Sequence, residues 1–278
     1  MEKRKSLNIK GSLLSIEKPL IMGILNITPD SFYAHSRFQT EEESLLAVEK
    51  MLTEGASIID VGGVSTRPFS EEISLNEEIS RLQPIVVAIR RQFPQAIISV
   101  DTWRSEVVRC LAAEGIDMVN DISGGQFDPN MFQEVAAQGL AYVMMHTNTH
   151  PKHMQENPHY ENLMNQLFFF FSKQLKLARQ AGLNDIIIDP GFGFGKTLAH
   201  NVELMQHLDE FHFFGIPLMV GISRKSMIYK TLHTTPEEAL NGTTVLHTLA
   251  LLKGANILRV HDVSFAKEVI DLIDMLKC

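Results

Sequence analysis

The chain has 278 residues, 45% hydrophobic and 21% charged, as in an ordinary globular protein rather than a disordered or fibrous one. Acidic residues number 33 and basic residues 25, and the resulting charge of −8 argues against a nucleic-acid partner. It leaves room for a small anionic substrate held by local cations. No stretch is apolar for the roughly eighteen residues that a membrane span needs. The start, MEKRKSLNIKGSLLSIEKP, lacks a signal-peptide apolar core, and Cys110 and Cys278 read as free thiols. A cytoplasmic protein without membrane contact is expected.

Residues 1–19 are expected as an N-terminal extension or short hairpin against the bottom of the fold. An apolar run predicts a strand over 20–27. Thr40, with Glu43 three residues on, marks a capping box that opens a helix over 41–55. A strand over 57–61 and a helix over 76–92 follow. The next strand, 97–101, precedes a helix over 103–114, with Asp101 or Thr102 as its cap. Then come a strand at 117–120, a helix at 129–138 and a strand at 141–145. Residues 146–159, rich in His, Pro, Asn and Thr, predict an excursion over the active face. The pattern resumes with helix 160–181, strand 186–189, helix 200–213 and strand 217–222. It ends with helix 236–253, led by Thr235 and an N1 Pro236, then strand 256–260 and helix 264–276.

Gly55, Gly115, Gly139, Gly182, Gly215 and Gly254 lie at or just past the helix ends, where left-handed caps form. The strands are continuous apolar runs, as parallel strands covered on both faces require. Eight βα units therefore predict one domain over 1–278, a (β/α)8 TIM barrel. A doubly wound Rossmann-like sheet is the alternative, weakened because no GxGxxG follows the first strand. The Phe168–Phe171 run is assigned to helix packing, or to covering an oligomer surface.

A barrel carries its chemistry at the C-terminal strand ends. The polar residues there are Asn26 and Asp30, Asp60, Asp101, Asn120, His146 after Met145, Asp189, Ser223 with Lys225, and Arg259 with His261. Any one of them could simply cap a helix. Together, Asp101, Asn120, Asp189 and Lys225 suit a polar heterocycle, whose ring N–H and amino groups carboxylates and amides can bond. Asn26, Arg67, Arg259 and His261 suit phosphate, and Asn26 offers a neutral oxygen to a hard cation such as Mg²⁺. Residues 190–197 look like a P-loop but place Pro190 where its first glycine belongs. Their glycines predict a tight turn after Asp189, with Phe192 and Phe194 free to stack or act as lids. Gly62 and Gly63 predict a sharp backbone turn. His146, His150, His153 and His159 lack zinc-ligand spacing.

The motifs Gly23–Phe32, Asp60–Gly63 with Ser65–Pro68, Ser99–Thr102, Asn120–Gly125, Asp189–Lys196, Ser223–Ser226 and Arg259–Val263 resemble the dihydropteroate synthase family, in order and one per strand end. The resemblance runs from about 20 to 275. It implies a transferase of folate biosynthesis that condenses 7,8-dihydropterin-6-ylmethyl diphosphate with 4-aminobenzoate, requires Mg²⁺ and forms a homodimer through its last helices. By the same resemblance Asp101, Asn120, Asp189, Lys225 and Met145 hold the pterin. Asn26, Arg67, Arg259 and His261 hold diphosphate, with Asn26 also a metal ligand. Thr66, Arg67, Pro68, Phe194, Ser223 and Lys225 shape the aminobenzoate site. The chain departs from the family pattern at Tyr33–Arg37, at Val64 and Phe69, and at Thr147–Thr149. The alternatives are a pterin-binding methyltransferase acting on methyltetrahydrofolate, a non-catalytic pterin-binding paralogue, and a phosphate-binding barrel isomerase or aldolase.

Overall fold

A computed structural model describes residues 6–27, 41–64, 73–148 and 158–276. A hairpin of β1 (Ser6–Ile9) and β2 (Ser12–Ser15) comes first. The alternating units are β3 (Leu20–Asn26), α1 (Glu41–Thr53), β4 (Ile58–Gly62), α2 (Leu75–Gln92), β5 (Ile97–Asp101), α3 (Ser105–Ala112), β6 (Met118–Asp121) and α4 (Met131–Ala137). They continue with β7 (Ala141–Met145), α5 (Leu163–Gln180), β8 (Ile186–Asp189), α6 (Leu198–Gln206), β9 (Met219–Val220), α7 (Ser226–Tyr229), α8 (Leu240–Leu252), β10 (Ile257–Val260) and α9 (Val263–Leu276).

β3 to β10 form a parallel sheet in the order β8-β7-β6-β5-β4-β3-β10-β9. A parallel bridge from Ile188 to Leu218 joins the two ends, so the eight strands close into the expected TIM barrel. Closure is what removes the sheet edges. Outward-facing strand residues such as Ile59, Val100, Val119 and Ile188 pack under the helices in the main core. A second apolar layer holds Met22, Ile58, Met118, Val143, Ile187, Met219 and Ile257 together with Leu7, Ile9 and Ile16. The hairpin thus covers the end of the barrel from which the strands start, and Asn8 N donates to Asp185 Oδ1 at 2.7 Å beside β8.

The six glycines expected at helix ends all adopt positive φ, between 64° and 104°. Other local expectations need correction. The helix expected over 103–114 starts only at Ser105, whose N–H is held by Asp128 Oδ2 at 2.7 Å. Asp101 instead faces Arg259, and Thr102 donates to Glu78 at 2.6 Å. The helix expected over 200–213 breaks at His207 (ψ 17°) and continues as a 3-10 turn over Leu208–Phe214. Pro236 does not open α8, which begins at Leu240. The carbonyls of Pro236 and Glu237 instead accept from Arg224. Of the run 217–222, only Met219 and Val220 form a strand, with Leu218 adding the single bridge to Ile188. Of the Phe168–Phe171 run, Phe171 is buried, Phe168 and Phe170 pack against the core, and Phe169 is exposed. Thr40 and residues 149–157 of the excursion lie outside the described residues.

Candidate active site

The strand ends meet at one mouth of the barrel, and the polar side chains are bonded to one another across it. Arg259, on β10, reaches Asp60 on β4 (Nε to Oδ2, 2.7 Å) and Asp101 on β5 (Nη2 to Oδ2, 2.9 Å). Asn120 on β6 donates to the same Asp60 oxygen at 2.9 Å. Asp60 is 0% exposed, and its other oxygen has no partner among the described residues. Asn26, at the end of β3, places its side-chain oxygen beside Gly62 and across from Asp101.

The other half of the mouth is built on β8 and β9. Gly221 faces Asp189 Oδ2, Lys225 Nζ and Arg259, each 3.8 Å from where a Cβ would stand. A larger residue there would fill the space between the acid and the ammonium. Lys225 donates to Phe192 O at 2.5 Å and lies 4.5 Å above the centre of the Phe194 ring, a cation–π contact. Ser223 joins His261, its Oγ accepting from His261 N at 3.2 Å and standing 3.0 Å from Nδ1. When the Ser223 hydroxyl donates to Nδ1, His261 keeps its hydrogen on Nε2 and presents a donor. Met145 forms an apolar wall with Trp103 and Ile122, against which Phe194, Val64 and Phe127 pack.

Burial dominates the electrostatics. It raises the Asp101 carboxyl, opposed by the Arg259 charge and reinforced by Asp60. It also raises Asp189, opposed by Lys225. Lys225 is pushed down to about 8 by burial, against the pull of Asp189. His261 is pushed down to about 3 by burial and then by Arg259, so it is neutral near pH 7. Three carboxylates, a guanidinium and a lowered-pKa ammonium therefore line one cavity mouth. Such a set orients a flat polar ring and stabilises positive charge on it.

The structure brings Asn26, Asp101, Asn120, Met145, Asp189, Phe194, Ser223, Lys225, Arg259 and His261 to this mouth. Asp30, Thr66, Arg67 and Pro68 lie outside the described residues. The turn after Asp189 is as expected, with Gly191, Gly193 and Gly195 at positive φ. Phe192, however, is no lid: its side chain is 0% exposed in the core, and its carbonyl holds Lys225. Gly62 and Gly63 make no left-handed turn. Gly63 is needed because a Cβ would stand 2.9 Å from Leu82.

Two residues given no role at the sequence level shape the site. Asp60 anchors Arg259 and Asn120, a partnership visible only once the barrel closes. Lys196 is 3% exposed and donates to Gly191 O (3.0 Å), Phe194 O (3.1 Å) and His146 O (3.4 Å), with His146 Nδ1 at 3.1 Å. It staples the β8 loop to the end of β7, and burial lowers it to about 7. Its P-loop-like surroundings had hidden this role.

The pterin binding enzyme family model matches residues 22–261. The dihydropteroate synthase of Escherichia coli K12 is 41% identical over 267 residues, 95% of this chain and 94% of that protein. A crystal structure of the Yersinia pestis enzyme with a sulfonamide drug complex superposes with a TM-score of 0.94 at 39% identity, covering 98% and 99% of the two chains. The Coxiella burnetii enzyme in complex with pteroic acid gives 0.90 at 34% identity, covering 99% of each chain. With these matches along nearly its whole length, the chain belongs to the pterin-binding enzyme family and, within it, to the dihydropteroate synthases.

Proposed function

We propose that this barrel mouth condenses 7,8-dihydropterin-6-ylmethyl diphosphate with 4-aminobenzoate, giving 7,8-dihydropteroate and diphosphate. The observation that carries the reading is the meeting of Asp101, Asn120, Asp189 and Lys225 with Arg259 and His261 at one mouth. The carboxylates and the amide hold the ring N–H and amino groups. Lys225 holds a ring acceptor. Arg259, His261 and Asn26 face the diphosphate, with Arg67 as a further cation. Phe194, Ser223 and Lys225, with Thr66 and Pro68, shape the aminobenzoate pocket, and Met145 backs the pterin. Pteroic acid, which the Coxiella burnetii enzyme was solved with, joins these same two halves in one molecule.

The chemistry follows from charge. The methylene C–O bond breaks first, and its electron pair leaves with diphosphate. The ring takes up the positive charge, and the buried Asp101 stabilises it in ionised form. The neutral aromatic amine then forms the C–N bond and loses its proton to diphosphate or solvent. No protein nucleophile is required.

Among the described residues no group of three or more His, Cys, Asp or Glu could hold a metal. The neutral oxygen of Asn26 fits Mg²⁺, which takes most of its ligands from water and substrate phosphates. When bound, Mg²⁺ supplies charge neutralisation to the leaving diphosphate. A homodimer through α8 and α9 belongs to the same reading, because Val245, Leu249, Leu252, Phe265, Leu272, Met275 and Leu276 leave an apolar surface exposed there. So does a cytoplasmic location, in keeping with the free thiol of Cys110. Among the described residues no helix is long and apolar enough to cross a membrane.

The test mixes purified protein with both substrates and Mg²⁺ and measures dihydropteroate and diphosphate. Aminobenzoate-dependent formation of both supports the reading. Absence of product at micromolar enzyme overturns it.

A further inference from the structure

Arg224 is one of three non-glycine residues with positive φ, at 54°, among the described residues. A side chain with a Cβ disfavours that conformation, so surrounding bonds must impose it. They are unusually complete. Its N–H donates to Thr243 Oγ1 at 3.0 Å. Its guanidinium grips Asp262 with both edges, Nε to Oδ2 at 2.7 Å and Nη2 to Oδ1 at 2.9 Å. Nη1 donates to the carbonyls of Pro236 and Glu237 at 2.8 and 2.6 Å. The side chain is only 5% exposed and that of Asp262 16%.

The position of this pair in the chain gives it meaning. Arg224 stands between Ser223 and Lys225, in the loop after β9. Asp262 follows His261, in the loop after β10. The left-handed turn lets Ser223 face His261 while Lys225 reaches Phe192 O. We propose that the Arg224–Asp262 fork is a positioning device that ties these two loops together, so that the ring-binding Lys225 and the diphosphate-binding His261 keep one fixed arrangement. Neither member of the fork needs to touch substrate. Lysine could not replace Arg224, because one ammonium cannot span both carboxylate oxygens and two carbonyls in a fixed plane. The inference rests on the functional reading above for the roles of Lys225 and His261.

The test separates the two ligands. Calorimetry measures binding of 6-hydroxymethyl-7,8-dihydropterin, which carries no diphosphate, and of inorganic diphosphate with Mg²⁺. The proteins are the wild type, Arg224→Gly, Asp262→Asn and the double variant. Glycine suits the left-handed backbone, and a thermal melt checks folding. Each single variant should weaken the ligand on the opposite loop by about fivefold or more, and the double variant should be no worse than the weaker single. In turnover, kcat should fall with KM for the pterin substrate rising. Effects confined to each variant's own side, or effects that multiply in the double variant, overturn the tie. If Arg224→Gly does not fold, Arg224→Lys takes its place, and wild-type affinity for both ligands in that variant overturns the tie. A wild type that binds both probes yet makes no dihydropteroate overturns the functional reading alone. One that binds neither overturns both.

Discussion

Arg259 and Asp60 are 199 positions apart in the chain, yet Nε and Oδ2 stand 2.7 Å apart across the closed barrel. The same guanidinium reaches Asp101, so one cation holds two carboxylates in the mouth. Removing one partner of such a pair strands a buried charge. Asp60→Ala should therefore lower unfolding stability by about 3–5 kcal/mol and also free Asn120. Denaturant unfolding measures this. A loss below about 1 kcal/mol, the worth of an exposed pair, would show that Asp101 alone suffices to hold Arg259.

Lys225 Nζ touches Phe192 O and the Phe194 ring and feels the charges of Asp189, Arg259 and Asp101. Lys225→Ala should lower kcat/KM by about a hundredfold or more, the scale of losing one preorganised electrostatic contact. The melting temperature should change little, because Nζ makes no ion pair within 4 Å among the described residues and Asp189 keeps the Gly191 N–H and the charges of Arg259 and Lys196. Steady-state kinetics with both substrates is the check, and an unchanged kcat/KM would reject the role.

His247 in α8 is buried, and its Nε2 has no partner among the described residues. Burial pushes its pKa down to about 4 from 6.5, with Asp262 opposing. The unfolded chain then binds the proton first as pH falls. Stability present above pH 6.5 should be lost progressively toward pH 4, by up to about 3 kcal/mol from this group. His247→Leu should flatten that acid slope and be no less stable at pH 7. Urea unfolding at pH 7 and 4.5 decides, and an equal slope in both proteins would exclude His247 as its source.

Leu252 is 66% exposed and Leu249 41% exposed on α8, beside the exposed Leu272 and Met275 of α9. Light scattering should give the wild type twice its chain mass of 31.3 kDa. Leu249→Glu with Leu252→Glu should give the single-chain mass with the melt retained, because solvated positions tolerate charge and a dry interface does not. A wild type that is monomeric at micromolar concentration would rule out this interface.

The barrel was legible because apolar runs, helix spacing and terminal glycines repeat once per unit. Barrel strand starts and ends agree with the sequence reading within about one residue, apart from β9, whose ladder is two residues shorter at each end. The polar residues of the mouth were legible for the same reason: in a barrel, a strand end is an address. What stayed hidden depends on contacts between distant units. Nothing near Asp60 announces Arg259, and nothing in Ser223–Ser226 announces a left-handed Arg224. Helix starts failed where tertiary bonds compete with local caps, as when Arg224 draws away the carbonyls of Pro236 and Glu237. Gly63 carried a true signal with the wrong cause, since its constraint is the nearness of Leu82 rather than its dihedral angles.

The N-terminal hairpin has a kinetic consequence. Leu7, Ile9 and Ile16 plug the floor of the barrel beneath Met118, Val143 and Met219. Among the described residues that end is filled, which leaves the strand-end mouth for traffic. Asp60 and Asp189 are buried at the strand ends, so a ring that bonds to that end of the barrel comes in from the side opposite the hairpin. Entry and release then share one side of the barrel, so product has to clear that side before the next turnover can begin.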